Sequence, residues 1–517
     1  MSFLSFFLII IFSLLSFSVS QFPPPRGILI NCGTTASSII AGRRWLPDAG
    51  FISRGTPKKL SMPVLAPILS TVQSFPLKNN LHEKFCYVVP VFRGAKYLIR
   101  TTYFYGGING DAEPPVFDQI VDGTFWSVVN TTKDYTNGMS SYYEGVFLAQ
   151  GKTMSLCIGA NSYTHSDPFI SALEFVILGD SLYNSTDFKR YGLSLVARHS
   201  FGYNGSVIRY PDDRFDRFWE PFGEKDPTIS KNNNLSISGI WNLPPSKVFE
   251  TELTTSQSGP LELRWPLAPL RNSIYYIALY FADDRNSSAV PSREFNVSIN
   301  GITYYKNFTV THVGSSVFAT QWPLVGLTTV TLTPSAGSSS PPLINGGEIF
   351  EVMVLGGITR TRDVIALEKL KSSLRNPPVD WSGDPCMPRQ YSWSGITCSE
   401  GPRIRVIALN LTNMGLSGSV SPGIARMTAL TDIWLGNNNL SGSIPDIGSL
   451  KFLQTLHLEN NQFTGEIPSS FGSIQNLREL FLQNNNLTGH IPNSLTGKPG
   501  LDLRISPGNQ FSSPAPS

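Results

Sequence analysis

A phrase of the form Leu/Phe-Ser/Thr-Gly-x-Ile-Pro occurs three times near the C-terminus, at residues 440–445, 463–468 and 487–492. Each copy follows a frame Leu-x-x-Leu-x-Leu-x-x-Asn: Leu430-Ile433-Leu435-Asn438, Leu453-Leu456-Leu458-Asn461 and Leu477-Leu480-Leu482-Asn485. A weaker first copy, Val406-Leu409-Leu411, has Met414 where Asn is expected, and successive frames begin 24, 23 and 24 residues apart. A fixed period of this size means a stack of like units. None buries its Leu face alone, so about three are needed for a continuous core. The Asn closing each frame suits a buried ladder, because its amide can bond backbone groups where the chain turns.

The period is that of a leucine-rich repeat. At 517 residues the chain is too long for one core, and two to four domains are expected. A net charge of +3 with 15% charged residues and no basic block argues against nucleic acid as a partner. Residues 3–19 are almost wholly apolar or Ser, with small Ser18 and Ser20 before Gln21. This reads as a signal peptide over residues 1–20. The missing Lys or Arg at its start leaves an uncleaved anchor as the alternative. No later stretch is long and apolar enough to span a bilayer. The expected location is therefore secreted, in the apoplast or held at the cell surface through a partner, unless the sequence is a truncated ectodomain.

An oxidising compartment permits disulfides. Cys386 and Cys398 form a local pair just before the repeats and are expected to be bridged. Among Cys32, Cys86 and Cys157 at least one stays unpaired within the chain, and the sequence does not say which. Their spacing is not that of a metal site, and no metal or cofactor is expected. Asn-x-Ser/Thr sequons stand at Asn130, Asn184, Asn204, Asn234, Asn286, Asn296, Asn307, Asn410, Asn439 and Asn486, as N-glycosylation candidates.

Upstream of the repeats, residues 27–357 alternate short strand-like runs with Gly, Pro, Asn and Asp turns. The runs are 28–31, 97–105, 153–158, 274–281, 295–299, 328–332 and 349–355, which predicts an all-β, sandwich-like region. Two internal echoes point to two copies of one lobe. The strand at 97–105 and the run Phe117 to Asp122-Gly123 match the strand at 276–283 and the run Phe295 to Asn300-Gly301. The stretch 168–175 matches 342–350. Asp-Gly and Asn-Gly are hairpin-turn signals.

Several stretches together resemble the plant malectin-like domain. They are Ile30-Asn31-Cys32-Gly33, Cys86-Tyr87, Tyr97-Leu98-Ile99-Arg100, Phe117-Asp118, residues 168–174, Ile208 to Asp212 and Asn345 to Phe350. The resemblance covers about residues 27–357 and implies two tandem malectin-type β-sandwich lobes, as in the ectodomains of receptor-like kinases. The Thr/Ser-Gly-x-Ile-Pro phrase resembles the plant extracellular subclass of leucine-rich repeats. Trp381-Ser382-Gly383-Asp384-Pro385-Cys386 and Trp393 to Cys398, with a short amphipathic helix over 366–374, look like the cap of such an array. Gly383 to Cys386 also matches the Gly-Asp-Pro-Cys motif of symbiosis-type receptor kinases, where it is linked to proteolytic release. A plain repeat cap is the favoured role here. The implied organisation is mainly β: lobe 1 over 21–190, lobe 2 over 191–358, the cap over 359–400, a short α/β solenoid over 401–500 and a tail over 501–517. Those receptor kinases continue into a membrane helix and a kinase, whereas this sequence has no Gly-rich nucleotide loop and no kinase catalytic loop.

The resemblance to malectin implies carbohydrate binding, which needs exposed aromatic platforms beside polar groups. In the second lobe Phe281-Ala282-Asp283-Asp284-Arg285-Asn286 lacks the expected aromatic pair. In the first lobe Tyr103, Phe104 and Tyr105 lie on a strand that reads as core, so Trp126, Tyr142 and Tyr143 are the candidates, with a cleft between the lobes as the default site. In the repeats, the residues between the paired Leu positions form a column, Asn410, Trp434, His457 and Phe481. A neighbouring column reads Thr412, Gly436, Glu459 and Gln483. Aromatic residues in an exposed column mark an interface, either with a protein partner such as a receptor-like kinase or with the lobes of the same chain. The crowded charges of Arg209 to Trp219 suggest glycosidase carboxylates. Such pairs usually come from separate strands, though, and a contiguous charged loop reads as solvated. The expected function is non-catalytic: binding cell-wall carbohydrate, docking a receptor kinase, or both.

Overall fold

The computed structural model describes residues 23–512 except 24, 63–64, 78–82, 111, 224–227, 233–236, 238, 256–258, 284–292, 337, 339 and 402, with backbone alone at 228–232. The signal-peptide segment, the sequons at Asn234 and Asn286 and the last five residues lie outside the described residues.

Strands dominate, as the turn-punctuated alternation predicts. A nine-stranded sheet forms the spine, in the order Gly27–Asn31, Ala172–Ile177, Lys96–Tyr103, Ser141–Leu148, Tyr191–Phe201, Gly346–Val354, Leu270–Phe281 and Ser315–Gly326, with Glu220–Phe222 added beside Tyr191–Phe201. The first four strands come from the first lobe and the rest from the second. Gly145 pairs with Ser194 and Val146 with Leu193, so the lobes share one sheet rather than meeting as separate bodies.

Because side chains alternate across a strand, this sheet has two differently used faces. On one face Tyr97, Ile99, Tyr103, Leu173 and Phe175 fill the first-lobe core, and Tyr275, Ile277, Leu279 and Phe281 fill the second. A four-stranded sheet closes each core. In the first lobe it is Lys84–Pro90, Thr153–Gly159, Val116–Val121 and Thr124–Asn130; in the second, Leu261–Arg264, Thr329–Pro334, Glu294–Ile299 and Ile302–Thr309. The hairpins turn at Asp122-Gly123 and Asn300-Gly301, where φ is 45°, 81°, 50° and 77°. Those positive values are what the Asp-Gly and Asn-Gly signals predict.

The cap begins with the helix Thr361–Ser373, whose buried Ala366, Leu367 and Leu370 cover the first Leu face. Trp381 and Trp393 stack beneath it, 5.1 Å apart, and Cys386 and Cys398 are bridged. The array then runs as parallel strands Val406–Asn410, Asp432–Trp434, Thr455–His457, Glu479–Phe481 and Asp502–Arg504. Asn461 Nδ2 donates to the carbonyls of Leu435 (2.9 Å) and Leu458 (3.2 Å), while its Oδ1 accepts from Leu440 N–H (3.0 Å). Asn438, Asn485 and Asn509 repeat the pattern. Each rung satisfies backbone groups that would otherwise be stranded in the core, worth about 1 kcal/mol per bond.

One expectation is corrected here. Residues 501–512 are not a tail but a further coil, with Asn509 as its ladder Asn. The signal was present: Leu501 follows Leu477, and Asn509 follows Asn485, by the same 24 residues that separate earlier frames.

Candidate functional site

Half of the charged run from Arg209 to Trp219 is buried, which corrects the expectation of a solvated loop for all but Asp212, Arg214 and the half-exposed Arg209. Asp213, Asp216, Arg217 and Trp219 are each no more than 1% exposed. The cause lies in the second face of the nine-stranded sheet. There Glu174, Arg100, Glu144, Arg198 and Glu348 occupy neighbouring strands and alternate in sign. Arg100 reaches Glu144 at 2.7 Å and Glu174 at 3.2 Å, and Arg198 reaches Glu144 at 2.5 Å and Glu348 at 2.9 Å. The loop supplies the missing partners: Asp216 pairs with Arg100 (3.1 Å), Arg209 (2.9 Å) and Arg43, and Arg217 pairs with Asp213 (2.9 Å). Five arginines (43, 100, 198, 209 and 217) thus meet five carboxylates (144, 174, 213, 216 and 348), and the network is neutral.

Burial by itself would raise the carboxyl pKa of Asp216. Arg100, Arg209 and Arg43 outweigh it and hold the group well below the usual carboxylate range. Burial likewise works against Glu348, and Arg198 and Arg217 reverse it. Carboxylates so held are poor proton donors, and the cover of Trp45, Tyr183, Trp219 and Phe249 excludes solvent. The arrangement is a structural weld between the lobes.

The aromatic candidates of the first lobe are placed differently from the expectation. Trp126 is 4% exposed, donates Nε1–H to Ser194 Oγ at 2.9 Å and meets Phe147 edge-on, so it is core and not a platform. Tyr142 and Tyr143 lie on the strand Ser141–Leu148 and therefore point to opposite faces. Tyr142 donates its hydroxyl to Glu220 at 2.7 Å, and Tyr143 packs edge-on against Tyr103. The three do not converge on one surface.

A cavity of about 730 Å³ opens between the first lobe and the cap, lined among others by Phe51, Ile52, Val88, Asp122, Ile358 and Lys371. The Gly-Asp-Pro-Cys motif forms part of its wall and welds the two modules. Gly383, at φ 65°, lies on the Cys86–Cys157 disulfide, where an added Cβ would stand 2.6 Å from Cys86 Sγ. Asp384 Oδ1 accepts from the N–H groups of Cys386 and Met387, each at 2.9 Å. Lys84 crosses from the lobe to donate to the Asp384 carbonyl at 2.6 Å, and the Tyr391 hydroxyl reaches back to Asp118 at 2.7 Å. Burial lowers the Lys84 pKa to about 8 against the pull of Asp384 and Asp380. Burial raises Asp122 to about 6; donors on Ser155 oppose this and Asp384 reinforces it. Cys32 is the free cysteine and is buried.

The repeat column assembles in register: Asn410 beside Trp434, Trp434 beside His457, His457 beside Phe481, and Phe481 beside Arg504. His457 stacks on Phe481 at 4.0 Å and 11°, and Trp434 meets His457 edge-on at 6.5 Å. Arg504, missed in the sequence because its coil was read as tail, lies 4.1 Å over Phe481. His457 Nε2 bonds Glu479 at 2.9 Å. Among the described residues, the hydrogen bonds, ion pairs and ring contacts of this column run along the array and none to the lobes. The sequons at Asn130, Asn184, Asn204, Asn307, Asn410, Asn439 and Asn486 are exposed, and Asn296 is half-buried.

Two lobes on one shared sheet, welded to a capped solenoid that keeps an aromatic column for itself, define a modular receptor-type ectodomain fold. The family model described as "Malectin-like domain" matches residues 30–352, "Leucine rich repeat N-terminal domain" matches 360–399, and "Leucine Rich Repeat" matches 452–474 and 476–497. The chain belongs to the malectin-like family, in the form joined to leucine-rich repeats. It is similar to a probable LRR receptor-like serine/threonine-protein kinase of Arabidopsis thaliana (At1g67720), 31% identical over 88% of this chain and 50% of that protein. A second Arabidopsis thaliana relative, the leucine-rich repeat receptor-like serine/threonine-protein kinase At2g14510, is 32% identical over 67% of this chain and 40% of its own length. The chain thus spans about half the length of the curated relatives it matches. The solved extracellular domain of ANXUR1 from Arabidopsis thaliana shares the fold, with a TM-score of 0.52 at 16% identity over 64% of this chain and 97% of that one. The receptor FER, solved with the plant peptide RALF23 and LLG2, matches with the same TM-score and identity over 64% and 96%. Among the described residues no helix is long and apolar enough to cross a membrane.

Proposed function

We propose that this chain is a non-catalytic extracellular binding protein, and that it docks a receptor-type protein partner through the concave column of its repeats. The observation that carries the reading is the stacked Trp434–His457–Phe481 column, half-buried by its own members and bonded only along the array among the described residues. Aromatic side chains on a rigid surface are what interfaces use as anchors, because they bury much area with little entropy to lose. The structural neighbour solved with a peptide and a second protein favours a protein ligand for folds of this class. The test is a double variant, Trp434→Ala with Phe481→Ala. It is expected to keep the thermal unfolding profile of the native chain and to lose at least tenfold in affinity for a receptor-kinase ectodomain that the native chain binds. Equal binding by both proteins would remove the reading.

Cell-wall carbohydrate is the second reading, and the cavity between the first lobe and the cap favours it over the cleft between lobes. Its walls mix apolar Phe51, Ile52 and Val88 with hydroxyls of Ser53, Thr153 and Thr361, the mixture that sugar rings require. Retention of the chain on immobilised pectin or xyloglucan, abolished by Phe51→Ala, is the expected result. Flow-through on every wall glycan tried would dismiss it.

A further inference from the structure

We infer that the repeat column is a receptor for a cationic polypeptide segment, with an arginine of the partner seated on the open side of Trp434. This deepens the docking reading and rests on it.

The column already shows its own preference at one end. Arg504 covers Phe481 at 4.1 Å and pairs with Asp502 at 2.7 Å. At the other end Trp434 has Asn410 as its neighbour in register, an uncharged side chain whose Oδ1 accepts from Thr412 N–H. The indole, the best of the aromatic faces for a cation, thus stands at the end that no cation of the chain covers among the described residues.

The charge around the column has the matching sign. Asp432, Glu479 and Asp502 stand in register on one flank, with Thr455 between the first two. Glu459 stands on the other flank, its carboxylate folded into the space that Gly436 leaves open beside Trp434. Glu459, Glu479 and Asp502 act on Arg504 at one end, while Asp432 stands at the Trp434 end, so carboxylates line the face of a chain whose net charge is +3. The carboxylates of Asp432 and Glu459 thus flank the indole on either side, as acceptors for a fork of donors. A planar guanidinium satisfies both requirements at once. It stacks on the ring and offers a fork of donors to carboxylates, which an ammonium does less well and an acidic segment not at all.

The test uses the full chain after residue 20 and three labelled nonapeptides, Gly-Ser-spaced and carrying three Arg, three Lys or three Glu, read by fluorescence anisotropy. The Arg peptide is expected to bind, the Lys peptide more weakly and the Glu peptide least. Trp434→Ala and Glu459→Gln are each expected to weaken the Arg peptide about fivefold, with unchanged thermal unfolding. Raising NaCl from about 0.05 to 0.5 M is expected to weaken it further, because exposed charges are screened over that range. Equal binding of Arg and Glu peptides, no binding of the Arg peptide, or binding indifferent to Trp434→Ala would overturn the inference. If ectodomain docking still depends on Trp434 in any of those cases, the docking reading stands and only the cationic partner falls. If that docking is also indifferent to Trp434, both fall.

Discussion

At the residue scale, single positions decide whether modules meet. Gly383 sits where a Cβ would press on the Cys86–Cys157 disulfide, and its φ of 65° is one that side chains resist. Gly383→Ala is therefore predicted to cost about 1–3 kcal/mol, seen as a lower calorimetric transition for the lobe-and-cap unit with the disulfides intact. Glu348 has a different job. It accepts from Arg198 Nε (2.9 Å), Tyr183 (2.9 Å), Tyr280 (2.6 Å) and Asn242 (3.2 Å). Removing it leaves Arg198 with Glu144 as its remaining carboxylate partner and takes an acceptor from three buried donors, so Glu348→Ala is predicted to lose about 3–5 kcal/mol. Glu348→Leu, which restores volume but not charge, should be no better, because Arg198 stays buried. Not all of this was legible in the sequence. Arg100, Glu174 and Glu348 lie in the stretches that carried the family resemblance, but nothing local marks them as members of one network with Asp216, because its side chains meet across separations such as 116 and 131 residues. The density of charge at Arg209 to Asp216 looked like a solvated loop for the same reason. Trp126 misled because an aromatic just after a hairpin turn reads alike whether its ring faces water or the sandwich.

At the element scale, legibility follows contact range. The array was readable coil by coil, since each coil contacts only its neighbours and the Leu and Asn positions repeat. Its last coil was overlooked only because the Ile-Pro phrase ends at Pro492, while the frame continues to Asn509. The hairpins at Asp122-Gly123 and Asn300-Gly301 were readable because two adjacent residues specify the turn. The shared nine-stranded sheet was not, as pairing of Ser141–Leu148 with Tyr191–Phe201 has no local signature. The seam between lobe and cap also carries a pH response of defined sign. Asp122 titrates near 6 when folded, above its ordinary value near 4. The folded state then holds the extra proton, so stability grows as pH falls from about 6 to about 4 and is lost as pH rises through about 6. Asp216 and Glu348, held below the ordinary range, act oppositely. Their contribution is full above about pH 4 and fades only in stronger acid. The unfolding temperature of the native chain relative to an Asp122→Asn variant is thus predicted to be a few degrees higher at pH 5 than at pH 7; His199, lowered by burial to about 4, acts oppositely over that range but is common to both proteins. A native-minus-variant difference that is the same at pH 5 and pH 7 would refute the assignment.

At the scale of the whole molecule, the welds join three modules into one body. A neutral ion network fuses the lobes, and the Gly-Asp-Pro-Cys segment, Lys84 and Tyr391 fuse the first lobe to the cap. The repeats are thereby presented on a broad rigid base, with one aromatic and acidic face directed at something else. The short array is too small to wrap a long ligand and is suited to docking one compact surface. The most direct measurement is biolayer interferometry of the chain after residue 20 against a panel of purified receptor-kinase ectodomains, run beside the Trp434→Ala, Phe481→Ala double variant and the isolated segment 21–357. At least one ectodomain is expected to bind the native chain, with at least tenfold weaker binding by the variant and none by the segment without repeats. Binding retained in full by the variant or by the segment 21–357 would contradict docking through the repeat column.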